Sequence, residues 1–330
     1  RYNMKALQVV KYGEIKDSLS FNEVSKPAVQ ADDVLIEVKA AAINPIDKSI
    51  ILGGLQSMIP IPFPSTIAYD VSGIVVEKGD NVSDLEIGDL VYSRVPQEQM
   101  GTVAEYVAVT SRAVSKKPGN ITFEEAASIP LAGLTAMQSL EYAGIKANDK
   151  VLIHAGSGGV GSFAIQYAKA KGAYVYTTTS TANVEWVKDL GADRVIDYKT
   201  EDYRTIVKDA DIVFDTLGQA YSSEAFQVIK QGGKVVSVAG PLDEETAKMF
   251  GMTDYKLPAD VAMLCSAKEA SYKFIFMHPS GADLGEIKSM IEDEKIKPII
   301  DKVYSFSESI EAITHLASGR AKGKIVIKIN

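Results

Sequence analysis

Cysteine is almost missing from this chain. Of 330 residues, one is cysteine, Cys265, and three are histidine. A single thiol closes no internal disulfide and builds no cysteine-ligated zinc lobe. His154, His278 and His315 stand far apart, without ligand spacing, so no metal site is expected. Isolated histidines of this kind are more often structural than catalytic. Long apolar runs are also missing: none approaches the roughly 20 residues of a membrane-spanning helix, and no membrane partner is expected. Positive charge is in deficit. Lys and Arg number 35 against 43 Asp and Glu, a net charge of −8, which argues against a nucleic-acid or anionic-membrane partner. The opening Arg1-Tyr2-Asn3-Met4-Lys5 is not a secretory signal; Met4 reads as a natural start, and cytoplasmic is the default location. There is no internal repeat or low-complexity segment.

What is present is a glycine-dense turn. Residues 150–154 form a short apolar strand that runs into Ala155-Gly156-Ser157-Gly158-Gly159-Val160-Gly161. A helix is expected at 162–171, with Phe163, Ile165 and Ala168 toward a sheet. Strand, glycine turn and helix in that order are what a dinucleotide-binding turn requires. Glycine lets backbone N–H groups approach a pyrophosphate, and the helix N-terminus favours the same anion. A second strand at 173–179 ends in Thr178-Thr179-Ser180-Thr181-Ala182-Asn183. An NAD site usually has an acid there to hold the ribose diol. Here the first carboxylate is Glu185, already inside the next helix. A hydroxyl-rich, uncharged strand end tolerates a 2′-phosphate, which favours NADPH; alternatively these are ordinary strand-end threonines.

With 46% hydrophobic residues, 330 residues are enough for two cored domains. Residues 1–121 are β-rich, with strands at 34–40, 71–77, 86–92 and 104–109 closely punctuated by Gly and Pro. From 122 the period changes. Strands at 151–154, 174–179, 194–198, 211–217, 234–240 and 273–277 alternate with helical patterns, which describes an α/β fold with a doubly wound parallel (Rossmann) sheet. From 296 strand character returns, at 299–306 and 324–329, around a helix at 307–318. Both chain ends, 1–121 and 296–330, are therefore expected to build one β-rich, barrel-like catalytic domain, with a nucleotide domain at 122–295 inserted between them.

The chain resembles the medium-chain dehydrogenase/reductase superfamily, in its zinc-free quinone oxidoreductase and enone (alkenal) reductase branch. The resemblance spans nearly the whole chain. Its superfamily-wide motifs are Gly88-Asp89-Leu90-Val91 and the glycine turn; Asn44-Pro45-Ile46-Asp47 and Tyr69-Asp70 are typical of the zinc-free branch. Alcohol dehydrogenases of the superfamily carry a Cys and a Gly-His-Glu where this chain has Asn44 and Ala68-Tyr69-Asp70. Without a Lewis acid, alkoxide chemistry is difficult. Hydride delivery to an electron-poor C=C or a quinone needs only positioning and hydrogen-bond donors to the developing oxyanion.

The resemblance implies a cleft lined by Asn44 near the nicotinamide. Related enone reductases carry a lysine two positions after the Asp of this motif. Here Ser49 holds that place and Lys48 comes one earlier, so Lys48 enters the cleft or faces solvent. Tyr69 contacts the substrate carbonyl or is a packed core tyrosine. Asp47 and Asp70 are read as caps or turn-formers. Ser157, Gly158, Gly159 and Val160 are assigned to the pyrophosphate, and Ser180, Thr181 and Tyr198 to the 2′-phosphate, with Asn183 where related NADPH enzymes have a lysine. Thr135 is assigned to the nicotinamide side. Leu217 with Gly218, and Val238, Ala239 and Gly240, fall at strand ends where such a sheet opens its crevice. Lys324 touches the cofactor or is solvated. Met58, Ile59, Ile61 and Phe63 wall the cleft or fill the core; Phe250, Met252, Tyr255 and Met263 are a second candidate wall. The substrate implied is a small apolar carbonyl or quinone. The assembly implied is a homodimer joined through the sixth strand of the nucleotide sheet, at 272–277. The alternative is an NADPH-binding structural or regulatory protein of the same fold, as lens crystallins are.

Overall fold

Short apolar runs separated by helical segments form a parallel sheet, because each helix carries the chain back across a sheet face. The computed structural model describes residues 3–329; the reading of Arg1 and Tyr2 lies outside them. Two units are distinguished: one contains the chain through Leu134 and from His278 onward, the other is Thr135–Met277.

The second unit is built on six parallel strands. Their spatial order is Arg194–Asp197, Tyr174–Thr179, Lys150–Ile153, Ala210–Asp215, Ile229–Ser237 and Ser271–Phe274. The chain starts in the middle, winds outward one way, then returns beside its first strand and winds outward the other way. Order therefore reverses between Lys150–Ile153 and Ala210–Asp215, and their carboxyl ends form the switch point where such sheets bind ligands. Val151, Leu152, Ile153, Val213 and Phe214 are fully buried. Burial on both faces explains why these strands are continuously apolar rather than alternating.

Several element boundaries differ from the sequence reading; the fifth strand, for one, is Ile229–Ser237 rather than 234–240. The helix after the glycine turn is Gly159–Ala170, so it begins inside the turn rather than at 162. The fourth strand ends at Asp215, because the Asp215 carboxylate accepts the Leu217 and Gly218 N–H groups and turns the chain. The sixth strand is Ser271–Phe274, earlier and shorter than 273–277. Asp243 accepts the Phe274 N–H, and a last bond runs from Ile275 N–H to the Ser237 carbonyl.

The first unit is mostly antiparallel. Its long central strand, Asp33–Ile43, pairs with Asp70–Lys78, Tyr106–Thr110 and Lys324–Lys328. Leu90–Arg94 and Val114–Lys116 extend the sheet on one side, and Ile300–Ser305 adds a parallel strand on the other. Asn3–Val9, Leu19–Ser25 and Ser65–Thr66 make a separate three-stranded sheet. Val34, Ile36, Val38 and Ile43 point into one core with Val71 and Val91. On the other face Ala40 and Ala42 are small because helix Phe123–Ala127 packs over them.

That helix explains why the unit runs past 121. It lies on the first unit's strands, and Asp70 Oδ1 accepts the Leu131 N–H at 2.9 Å. At the return, helix Gly281–Glu292 belongs to the first unit, since the Tyr92 hydroxyl donates to the Leu284 carbonyl at 2.6 Å and Gly119 N–H to Glu292 at 2.9 Å. The inserted segment is accordingly Thr135–Met277 rather than 122–295.

Candidate active site

In the Thr135–Met277 unit the strand Lys150–Ile153 leads through His154 into the turn. Ala155 takes a left-handed φ of 57°. Its N–H donates to Thr178 Oγ1 at 3.2 Å, and the Gly156 N–H donates to the Thr178 carbonyl at 2.9 Å. Two glycines are fixed by contact. A Cβ on Gly156 would lie 2.5 Å from Thr177 Oγ1, and one on Gly161 would lie 2.1 Å from the Ala155 carbonyl oxygen. Helix and strand thus meet at backbone distance. The helix's first N–H groups have no intrahelical acceptor, and Ser157, Gly158, Gly159 and Val160 are half-exposed around them. Free N–H donors at a helix N-terminus suit a pyrophosphate.

His154 is fully buried. Its Nδ1 lies 3.0 Å from Thr178 Oγ1, and Tyr203 and Tyr221 meet the ring edge-on. Burial pushes its pKa down to about 4, so it stays neutral. It braces the turn through Thr178. No group of three or more His, Cys, Asp or Glu side chains among the described residues is arranged to hold a metal ion.

Sequence reasoning missed Asp215. Fully buried at the end of the fourth strand, it accepts from Leu217 N, Gly218 N, Ser222 Oγ and Ser237 Oγ at 2.6–3.0 Å. Ser237 Oγ in turn accepts from Gly240 N at 2.8 Å and Ala239 N at 3.3 Å. One carboxylate therefore shapes both segments assigned to the crevice, Leu217–Gly218 and Val238, Ala239 and Gly240. The available signal was an acid closing the apolar run Ile212-Val213-Phe214.

Ser180, Thr181 and Tyr198 are brought together at the edge of the sheet. Tyr198 N–H donates to the Thr179 carbonyl at 3.1 Å, and the ring is half-exposed. Asn183 Nδ2 donates to Ser180 Oγ at 3.1 Å, leaving the Ser180 hydrogen uncommitted. The pocket is not free of acid, however. Thr181 donates to Asp197 Oδ2 at 2.6 Å. That bond, with the Lys199 N–H, holds the Asp197 carboxyl below the usual range. The first carboxylate in space is thus Asp197, not Glu185. Thr135 lies on helix Pro130–Tyr142 and is 8% exposed.

The first unit holds the other candidates. Asn44 precedes helix Pro45–Leu52, and its N–H donates to Asp47 Oδ2 at 2.7 Å. Asn44 Nδ2 donates to Asp70 Oδ2 at 2.9 Å, and Lys324 Nζ donates to Asn44 Oδ1 and to the Ile43 carbonyl. Arg94 lies over the Tyr69 ring, 4.2 Å from its centroid. Asn44, Asp47, Asp70, Arg94 and Lys324 are all buried. Burial raises both carboxyls, Asp47 to about 7, and lowers Lys324 and Arg94. Among the described residues Asp47 Oδ1 and Arg94 Nε have no hydrogen-bond partner.

These positions bear on three expectations. Lys324 is not solvated; it is buried in this polar cluster. Tyr69 is packed in the core and donates to Gln97 Oε1 at 2.5 Å, which leaves no hydroxyl hydrogen for a substrate. Lys48, on helix Pro45–Leu52, is half-buried, and among the described residues its ammonium has no hydrogen-bond or ion-pair partner. Of the apolar walls, Ile61 joins the core while Met58 and Phe63 stay exposed. Phe250 packs on Phe276, and Met252 and Met263 are exposed.

Comparison with known proteins decides the family. Residues 30–119 match the alcohol dehydrogenase GroES-like domain, and residues 190–327 match the zinc-binding dehydrogenase model. The chain is 35% identical to a 2-methylene-furan-3-one reductase of Solanum lycopersicum and 34% identical to an NADPH-dependent alkenal/one oxidoreductase, chloroplastic, of Arabidopsis thaliana. Each match covers 98% of this chain and 79% of the relative. The structure of the quinone oxidoreductase from Coxiella burnetii superposes with a TM-score of 0.88 at 32% identity, covering 100% of both chains. The chain belongs to the medium-chain dehydrogenase/reductase superfamily. It is an oxidoreductase with the fold of nicotinamide-dependent dehydrogenases, and its relatives include quinone oxidoreductases and enone reductases. No helix among the described residues is long and apolar enough to cross a membrane.

Asp47 gives a pH dependence. Between its unfolded value of 3.8 and its folded value of about 7, the folded chain keeps a proton that the unfolded chain has released. Ionisation therefore opposes folding as pH rises through this window. Relative to wild type, Asp47→Asn should gain stability as pH rises from about 4 to about 7, on the order of 1–4 kcal/mol. Denaturant melts across that range measure it; a difference that stays constant or shrinks would mean that Asp47 is ionised throughout.

Proposed function

We propose that this protein transfers hydride from NADPH to the activated C=C of an enone or alkenal, or to a quinone, without zinc. The observation that carries the reading is the replacement of a metal-ligand set by a buried polar cluster whose cations are its own. Asn44 Oδ1 accepts from the Lys324 ammonium and both Asp70 oxygens are hydrogen-bonded. A zinc ion at these atoms would face a cation in place of a free ligand. Ser157, Gly158, Gly159 and Val160 would hold the pyrophosphate, and Ser180, Thr181 and Tyr198 the adenosine end. A reduced nicotinamide bound there would supply the hydride, with its electron pair, for the substrate's β-carbon; charge would gather on the carbonyl oxygen, and water would supply the proton for the α-carbon. The chain's task is to orient the carbonyl and donate hydrogen bonds to its oxygen as charge gathers there. Lys48 is the ammonium with donors to spare.

A panel of enones, alkenals, quinones and simple alcohols, run with NADPH and NADH under chelation, tests this reading. Turnover should appear on activated alkenes or quinones, survive chelation, and be negligible on alcohols. Robust alcohol oxidation with no alkene or quinone reduction would overturn it. Cofactor choice has its own test. NADPH is favoured because Ser180 keeps a hydroxyl hydrogen for an anion, while Asp197 opposes it from beside Thr181. Ser180→Asp should reverse the preference through repulsion of the 2′-phosphate, and Asp197→Asn should sharpen it by about 3- to 30-fold. Faster turnover with NADH by the unmodified protein would defeat the assignment.

We further propose that the partner is a second copy of this chain. Ser271–Phe274 is the terminal strand of its sheet, with no pairing on its outer side among the described residues. Met263, Leu264 and Phe276 are exposed nearby in sequence. An open edge with apolar flanks favours an isologous pairing. Light scattering should give twice the chain mass, and Ile275→Lys should shift it toward the monomer; a wild-type monomer at micromolar concentration would refute the dimer.

A further inference from the structure

We propose that Lys324 is a positioning residue for the reduction, acting through Asn44. This rests on the reductase reading above and adds a residue and a route to it. The Asn44 side chain is gripped at both ends. Lys324 Nζ donates to its carbonyl oxygen, and its Nδ2 donates to Asp70 Oδ2 at 2.9 Å. Each partner is anchored in turn. Lys324 also donates to the Ile43 carbonyl at 3.2 Å, and its strand pairs with Asp33–Ile43 from Ile325 opposite Ile43. Asp70 Oδ1 accepts the Leu131 N–H. The amide therefore has one orientation. Reversed, it would point N–H donors at an ammonium and its oxygen at a carboxylate.

Two consequences bear on the chemistry. The amide nitrogen has two hydrogens, and Asp70 takes one. An ammonium on Oδ1 draws electron density from the nitrogen, which makes the second N–H a stronger donor, as chains of hydrogen bonds do in low dielectric. Asn44 is also the residue from which helix Pro45–Leu52 starts. Its N–H donates to Asp47 and its carbonyl accepts the Asp47 N–H, at 2.7 and 2.9 Å. Holding Asn44 thus fixes the first turn of the helix that carries Lys48. Lys324, 280 positions away in sequence, sets both the amide and the helix that presents the free ammonium.

The test is a double-mutant cycle read on turnover and on cofactor binding. Lys324→Met keeps the length and removes the charge. It should lower kcat about 10- to 100-fold, with the NADPH dissociation constant changed less than about twofold. Lys324→Arg, which restores a cationic donor, should recover most of the loss. Because the effect runs through Asn44, Asn44→Ala with Lys324→Met should be no slower than Asn44→Ala alone. If Lys324→Met fails to fold in a thermal melt, Lys324→Gln keeps an N–H donor without charge and serves in the cycle. Losses that multiply, or a loss confined to NADPH affinity, would overturn the positioning role while leaving the reductase reading intact. A wild type inactive on every enone and quinone would overturn the reductase reading, and this inference with it.

Discussion

Two carboxylates and two cations are buried together in the first unit, and none is tolerable alone. Asp47, Asp70, Arg94 and Lys324 are each at most 8% exposed. An isolated buried charge would carry a desolvation penalty of several kcal/mol. Here opposite charges and fixed hydrogen bonds offset it. The same groups tie the fold together: Asp70 holds the Leu131 N–H, Asp47 holds the start of helix Pro45–Leu52, and Lys324 joins the last strand to Ile43. Segments remote in sequence converge on one amide, Asn44. Losing a cation would leave the carboxyls uncompensated, whereas making Asp47 neutral removes a charge that burial already disfavours, so the effect of each group depends on the others.

In the nucleotide-type unit the governing constraint is closeness. The approach of Gly161 to the Ala155 carbonyl sets where helix Gly159–Ala170 leaves the strand. Thr178 takes the Ala155 and Gly156 N–H groups and is braced by His154. Asp215 does the same for the two loops on the other side of the switch point. In both places a buried polar group satisfies backbone N–H groups that a turn has taken out of the sheet. That leaves the helix's own first N–H groups as the donors still open to an anion.

Local chemistry was legible in the sequence; pairing across long separations was not. The glycine turn, the alternation of strands and helices and the return of β structure at the chain's end are all written within windows of a few residues, and the sheet has the expected strands. Strand ends were misjudged where a side chain intercepts the backbone, as Asp215 does after Thr216 and Asp243 at Phe274. Lys324 was left between cofactor contact and solvent, and only its pairing with residues 43 and 44 reveals that it is buried. Tyr69 was left between substrate donor and core because nothing in the sequence shows Gln97 waiting for its hydroxyl. Asp197 stands directly before Tyr198 in the sequence, but that it meets Thr181 requires knowing that the second and third strands are neighbours.

The distribution of charge bears on chemistry as well as stability. A catalytic metal gives a reductase a fixed cation at the substrate oxygen. In the proposed zinc-free reduction, positive potential at that oxygen would come from side chains, and a buried ammonium alone would be drawn toward neutrality by its surroundings. Surrounding Lys324 with Asp70 and Asp47 counters that tendency, since both carboxylates raise its affinity for the proton. The same carboxylates are themselves pushed toward the neutral form by burial. Each sign of charge thus counters the desolvation of the other, and the amide between them is polarised while the ammonium and the carboxylate keep their charges. An amide gripped at both ends needs no reorganisation when charge develops beside it, which is the condition under which a neutral hydrogen-bond donor stabilises an oxyanion most effectively.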